Sequence, residues 1–570
     1  MDKSKNKKIL ILIFLILIAA SFLRLWKLDK NPPSLFGDEL DVGYHALSII
    51  NTGRDYSGNF MPLEFHSLAE WRTPLYLYAS VPTVKIFGIT AWGVRLPAAI
   101  FGIFGVLIAF YLIKEITKSN SLALMSSLIL CFSPWHIQYS RSGFEVTMLL
   151  FFIMFAFWTF FRAINTQKGK YLWISAACFA LTPLIYSTAK IYTPIILIVL
   201  FLFYRKKIFN LKKSELFIGV VVLLIIGSLT VYSTLFGQGA QRFNYLSVFS
   251  DPSIEYQLGP VRDIDSDQGS AVLSKYFHNK YQIIFSKIEN NFLTSLSFNF
   301  LFDKGDPNLR HTVPQMGVFY HVEIVLLFLG IYYLSKSEKH RKFGYILFIM
   351  ILIGILPSSL TRDGANHATR LILILPPIVF VMSYGLWSVF KEKRNLKYLF
   401  LICYLILFVF DFLFYQHQYW FHYPIDSEKW WHYGFSQSFS EIEKIQSKYS
   451  KVFVTTYDEP PWIFFAAGMQ YPPEKWQLGY PFKKQIVGGF GEVSYIDKYY
   501  FGSPNGLGIY DWGKVLGSDM LYLASAKEVN VNLIEEPDRT PKDLKLVYYI
   551  KFPSGLPAYY IFSGKNEINK

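Results

Sequence analysis

Two adjacent carboxylates, Asp38 and Glu39, stand in the stretch Phe36-Gly37-Asp38-Glu39-Leu40, just beyond a first apolar run from Ile9 to Trp26. A carboxylate at a low-dielectric membrane edge has its pKa raised toward the range where it can take a proton from a hydroxyl, so the pair is a candidate catalytic site. Residues 38–51 have helical spacing, with Leu40, Tyr44, Leu47 and Ile50 on one face and Asp38, Asp41, His45 and Ser48 on another. Such a helix would lie along the membrane surface. Asp38 would also serve as its cap and Glu39 would complement its dipole, which does not exclude catalysis. Five cations, Arg72, Arg141, Lys190, His367 and Arg370, sit at the edges of apolar segments. Each alone reads as a snorkelling anchor; together they can neutralise an anionic group. His367 and Arg370 are one helical turn apart at the expected start of a span, where the helix dipole also attracts phosphate. Glu145, His136 and Asp41 complete the set as groups able to hydrogen-bond hydroxyls, although a lone His beside Trp135 is as often a packing residue.

These groups need a membrane scaffold, and the chain has one. Apolar runs near the roughly 20 residues that cross a bilayer fall near 9–26, 93–113, 121–138, 146–163, 171–187, 191–204, 216–236, 318–334, 343–360, 368–390 and 396–415, about eleven in all. Alternate connections collect the basic clusters, such as Arg205/Lys206/Lys207 and Lys336/Lys339/Arg341/Lys342, and the tail before the first run carries Lys3, Lys5, Lys7 and Lys8. Basic loops stay cytoplasmic, so the N-terminus is expected inside and the acidic pair outside. The segment 74–88 is apolar but reaches only roughly 22 Å as a helix. Counting it as a span would put the basic clusters outside; it reads as an interfacial or re-entrant helix within one outer loop, 27–92. A second outer loop covers about 237–317 and is polar. From 417 to 570 the pattern changes to strands, at Lys451–Thr456, Met520–Leu523 and Lys545–Ile550, with helices near 436–448 and 459–468. The expected architecture is therefore a polytopic α-helical membrane domain, 1–416, followed by an extracytoplasmic α/β domain, 417–570.

Composition fits a cell-membrane protein: 52% of the 570 residues are hydrophobic and 17% charged, more apolar surface than a soluble fold could hide. The net charge of +15 lies largely in short loops between spans, where topology and anionic lipids account for it, so no nucleic-acid partner is expected. Cys131, Cys178 and Cys403 all fall in apolar runs, which argues against a disulfide framework or a thiolate metal site.

The order of motifs is informative. After the first span come Phe36-Gly37-Asp38-Glu39, Arg72-Thr73-Pro74-Leu75-Tyr76, Val94-Arg95-Leu96-Pro97 and Ser133-Pro134-Trp135-His136…Ser140-Arg141…Glu145. This series resembles the GT-C superfamily of glycosyltransferases, in particular the branch of protein O-mannosyltransferases and lipid A aminoarabinose transferases. The resemblance implies an inverting enzyme that takes a sugar from a polyprenyl-phosphate donor and passes it to an extracytoplasmic lipid, glycan or protein acceptor. It implies Asp38 as base first and Glu39 second. The leaving phosphate departs anionic and needs cations, for which the five cations are the candidates.

Two alternatives carry different marks. Trp430-Trp431-His432-Tyr433-Gly434 echoes the Trp-Trp-Asp motif of metal-dependent oligosaccharyltransferases, and Glu39-Leu40-Asp41 could be half of a metal-binding acidic pair. His432 stands where that motif needs Asp, and no second Asp-x-Asp follows the third span, so no essential metal or other cofactor is expected. A lipid or solute transporter would carry charges at the membrane midplane and an inverted repeat; here the charges gather at one face.

Overall fold

In a computed structural model, residues 3–68, 70–267, 271–393, 395–479, 484–487, 490–505 and 508–565 are described. A helix lies at each of the eleven expected spans. Seven are long and apolar enough to cross a membrane. Of the others, the expected span 121–138 breaks at Ser133-Pro134 into Asn120–Phe132 and Pro134–Ser140, the expected spans 171–187 and 318–334 become the shorter helices Gly169–Ile185 and Glu323–Lys336, and Ala189–Phe209 is long enough but carries Arg205, Lys206 and Lys207 in its last turns. Proline at the first helical position, with the Ser133 hydroxyl accepting from the His136 N–H, starts the second piece where the first must stop.

The membrane region begins with α1 (Lys3–Leu25), whose Leu10, Phe14 and Phe22 are exposed and offer an apolar face to lipid. The segment 27–92, expected as the first outer loop, folds as α2 (Gly37–Thr52), a two-stranded ribbon of β1 (Phe65–Ser67) and β2 (Glu70–Arg72), and α3 (Leu75–Phe87). The 13 residues of α3, capped by Gly88 at φ 69°, are too few to span. Then α4 (Ala91–Thr117) starts on Thr90, whose hydroxyl accepts from the Gly93 N–H. The helices Glu323–Lys336 and Leu375–Lys391 cross at two glycines: a Cβ on Gly330 would lie 2.0 Å from the Val381 carbonyl, and one on Gly385 would lie 2.4 Å from that of Leu326. Only hydrogen side chains permit that approach.

The loop 237–317 is largely helical, at Ser253–Asp267, Ala271–Phe277 and Lys280–Ser295. The segment after the last span is the expected α/β domain. It holds a seven-stranded sheet of β3 (Lys451–Val454), β4 (Lys484–Val487), β5 (Phe490–Ile496), β6 (Tyr499–Phe501), β7 (Met520–Ser525), β8 (Leu544–Lys551) and β9 (Pro557–Gly564) in the order β4-β5-β6-β3-β7-β9-β8. Central β3 is parallel to β6 and β7; the remaining pairs are antiparallel.

Two expectations are overturned here. Helix α2 does not lie on the membrane surface: Leu40 and Tyr44 are buried in the core of the α/β domain, the Tyr44 hydroxyl donates to the Tyr471 carbonyl (2.9 Å), and Asp41, His45 and Ser48 on the opposite face are buried as well. A helix with both faces covered is clamped between the membrane region and the α/β domain. Nor does Asp38 cap it; the N-cap is Phe36, without a side-chain cap.

Candidate active site

The first turn of α2 carries Asp38 and Glu39 in opposite directions. Glu39 is fully buried and binds Arg95 through both oxygens, Nε to Oε1 at 2.7 Å and Nη2 to Oε2 at 2.8 Å, and also accepts from the Gly143 N–H at 2.7 Å. Arg95 itself is buried under the Trp431 ring, at 5.3 Å. Glu39 is thus fully engaged in a lock between α2, α4 and the 141–145 turn, and its expected place as second base is not supported by the geometry.

Asp38 is half-buried and faces a polar cavity of about 170 Å³ lined by Arg72, Glu145, Tyr186, Arg310, His311 and His367 among others. Its backbone carbonyl accepts from Arg72 (3.1 Å), while its carboxylate makes no hydrogen bond or ion pair among the described residues. Arg72, delivered by β2, reaches Glu145 (3.3 Å) and Asp41 (3.5 Å). Burial opposes its charge, but Glu145, Asp38, Asp41 and Glu70 together hold it above its ordinary pKa. Glu70 of the same strand pairs with Arg242 (3.1 Å), and burial raises its pKa against that pull. Two charged groups of this cavity have no oppositely charged contact among the described residues, the Asp38 carboxylate and the Arg310 guanidinium. Arg310 lies over the Phe36 ring (4.8 Å), its side chain bonded among the described residues only to Asn308 (3.4 Å).

Beside this cavity is an apolar one of about 200 Å³ that shares Tyr186 and Arg242 with it. Lys190, Ile191, Phe243, Leu246 and Arg370 line it. Polar and apolar chambers therefore meet at a cationic threshold.

The remaining expected residues separate by location. Glu145 and His367 are in the polar cavity. Lys190 and Arg370 line the apolar one, Lys190 donating to the Gly239 carbonyl (2.7 Å) and Arg370 paired with Asp363 (2.6 and 3.2 Å). The dipole argument for His367 and Arg370 fails, because residues 364–371 form turns and the helix begins beyond them, at Ile372. Asp41 lies behind the cavity, accepting from Tyr56 and Ser67, and burial pushes its carboxyl up to about 6 against Arg72 and those hydroxyls. Arg141 is not available to an anion: it is buried, bonded to Tyr419 and to the carbonyls of Leu23, Lys27 and Asn31, and stacked on Tyr419 and Trp420. His136 is buried against Arg24 (2.7 Å), away from the cavity. Glu39 and Asp41, the possible half of a metal-binding acidic pair, are engaged elsewhere, Glu39 by Arg95 and Asp41 by the hydroxyls of Tyr56 and Ser67.

Sequence reasoning passed over Glu70, Arg242, Arg310 and His311. The one signal was the polar run Asp306-Pro307-Asn308-Leu309-Arg310-His311 close before an apolar segment.

Comparison with known proteins bears on the fold. Residues 72–232 match the family model described as dolichyl-phosphate-mannose-protein mannosyltransferase. Two Bacillus subtilis (strain 168) proteins are similar: "Putative mannosyltransferase YkcB", 27% identical over 31% of this chain and 24% of that protein, and "Putative mannosyltransferase YycA", 24% identical over 35% and 28%. The match thus spans about a quarter of each relative. Among solved structures, ArnT from Cupriavidus metallidurans bound to undecaprenyl phosphate superposes with TM-score 0.51 at 10% identity, covering 98% of both chains. The archaeal oligosaccharyltransferase AglB from Archaeoglobus fulgidus, in complex with an inhibitory peptide and a dolichol-phosphate, gives 0.50 at 13%, covering 98% of this chain and 74% of AglB. At such identities the likeness is one of fold.

Proposed function

For a chain that has the GT-C glycosyltransferase fold and matches the mannosyltransferase family model over residues 72–232, we propose an inverting transferase that moves a sugar from a polyprenyl-phosphate donor to a hydroxyl-bearing acceptor outside the cytoplasm. The observation that carries this reading is the junction of the two chambers at Tyr186 and Arg242, one apolar enough for an isoprenoid chain, the other holding an unpaired carboxylate and an unpaired guanidinium. ArnT and AglB were each solved with a polyprenyl-type phosphate, which supports a lipid phosphate as donor.

In the proposed reaction the donor phosphate lies at the threshold, near Arg242 and Arg310, with its chain toward Phe243 and Leu246. Asp38 takes the proton of the acceptor hydroxyl as its oxygen attacks the anomeric carbon. The bond from that carbon to the phosphate oxygen breaks, and polyprenyl phosphate leaves with the electron pair. One displacement inverts the configuration. Arg310, with no carboxylate to neutralise it, can answer the charge that grows on the leaving oxygen. Glu145, held by Arg72, is placed to accept from sugar hydroxyls. Glu39 and Arg95 position α2, and no step uses a metal on Asp38, Glu39 or Asp41. The polar cavity and the α/β domain are proposed to be extracytoplasmic, with the N-terminus inside.

The test is direct. Purified protein in detergent is given synthetic polyprenyl-phosphate sugars, mannose first, and release of polyprenyl phosphate is followed by mass spectrometry. Release by the wild type, lost in Asp38→Asn, is expected. Solute or lipid movement across reconstituted vesicles, with no sugar transferred from any donor, would instead establish a transporter.

A further inference from the structure

We propose that Asp306, His311 and His367 form a binding site for a divalent cation of the zinc class. Each offers a ligand atom within 4.8 Å of the others'. His311 Nδ1 is 2.7 Å from Asp306 Oδ2, and His367 Nδ1 is 3.9 Å from the same oxygen. Two ligands of a tetrahedral zinc at about 2.0 Å from the metal stand roughly 3.3 Å apart. The two separations bracket that value, so side-chain shifts below about an ångström would close the set.

A simpler role exists for part of the cluster: Asp306 orients His311, while the Asn308 and Ala368 N–H groups orient Asp306. That role leaves His367 unexplained. Its ring stacks on His311 at 4.9 Å, and its buried Nδ1, directed at a carboxylate that already accepts from two donors on the nearer oxygen, has no hydrogen-bond partner among the described residues. Two imidazoles and one carboxylate, with an unsatisfied nitrogen among them, are a donor set suited to zinc. Both histidines also line the polar cavity, so a remaining coordination position would open toward it.

The consequence concerns Arg310. The run 306–311 carries both it and two of the ligands, and 364–371 carries the third. A cation joining the two segments would fix the loop that presents the unpaired guanidinium. The expectation of no essential metal rested on His432 in place of the motif's Asp and on the missing second Asp-x-Asp; this site uses neither motif.

Binding is measured without any donor, so it stands apart from the transfer reaction. Tag-free full-length protein in detergent is stripped with EDTA and titrated with Zn²⁺, with metal content read by mass spectrometry and melting followed in parallel. The wild type should retain one tightly held zinc and melt higher with it. His367→Gln, which breaks no hydrogen bond, should melt like the wild type in zinc-free buffer yet bind zinc about tenfold or more weakly. His311→Gln serves as the second variant and should weaken zinc similarly. A stripped wild type that takes up no stoichiometric zinc would overturn the proposal, as would zinc binding unaltered in both variants, which would assign any uptake to other histidines.

Discussion

Asp38→Asn and Glu39→Gln should fail in different ways, although the residues are neighbours and the substitutions alike. The Asp38 carboxylate has no hydrogen bond or ion pair among the described residues, and Arg72 is bonded to its backbone oxygen, which Asn keeps. Its loss should leave melting near that of the wild type. Removing a positioned general base costs about 10²- to 10⁴-fold in rate, or roughly 2.7 to 5.4 kcal/mol of barrier. Glu39 is the reverse case. It is fully buried, with Arg95 on both oxygens and the Gly143 N–H on one of them. Glutamine would leave the Arg95 charge buried without its counterion, and breaking such a pair from one side costs about 3–5 kcal/mol. Donor turnover per folded molecule, measured beside thermal unfolding in detergent, separates the outcomes. Asp38→Asn should melt normally and turn over at least about a hundredfold slower; Glu39→Gln should melt low while its folded fraction keeps activity. Wild-type turnover in Asp38→Asn refutes the assignment. A normally melting but inactive Glu39→Gln would move the base to Glu39.

Three further outcomes follow from the same geometry. Arg310→Gln removes the cavity's unpaired cation and should lower kcat/KM for the donor by roughly 10- to 150-fold, the worth of a charge-assisted hydrogen bond of about 1.5–3 kcal/mol, with the acceptor KM little changed; equal effects on both substrates would argue against a phosphate role. Burial pushes the Asp41 carboxyl up to about 6 in the fold, above the ordinary aspartate value of about 3.9, so the unfolded chain ionises first and stability from this group falls as pH rises through that window; the melting advantage of wild type over Asp41→Asn should shrink between pH 5 and 7.5, by about 1.4 kcal/mol, and a pH-independent difference would refute the shift. Asp538 is exposed on the α/β domain, and Asp538→Cys should react with an impermeant thiol reagent in intact cells, with any outer envelope permeabilised; labelling only after the cytoplasmic membrane is lysed would reverse the topology.

The helices were legible because an apolar run near the length of the bilayer has few other fates, and β3, β7 and β8 because apolar β-formers cluster there. Strands β4, β5, β6 and β9 were missed: Tyr499–Phe501 is only three residues long, and β9 begins at a proline, which reads as a turn. The cavity was half legible. Asp38, Arg72, Glu145 and His367 sit beside apolar runs and stood out by contrast. Glu70, Arg242 and Arg310 lie in polar loops, where a charge carries no local mark, and only folding brings residues 70 and 242 to 3.1 Å.

Arg95 offers the sharper lesson. It lies one turn inside an apolar helix, where an unpaired charge is costly and a partner is therefore required. Few acids could supply one at that end of the membrane region, and Glu39 is among them. Had that demand been weighed, Glu39 would have been assigned to Arg95 and the base to Asp38 alone. The same reasoning applied to Arg141 ends differently, since backbone carbonyls and a tyrosine hydroxyl satisfy it without any acid. A buried cation thus removes nearby acceptors from the list of free catalytic groups. What Arg95 takes from Glu39 is what leaves the neighbouring Asp38 as the carboxylate still free to accept a proton.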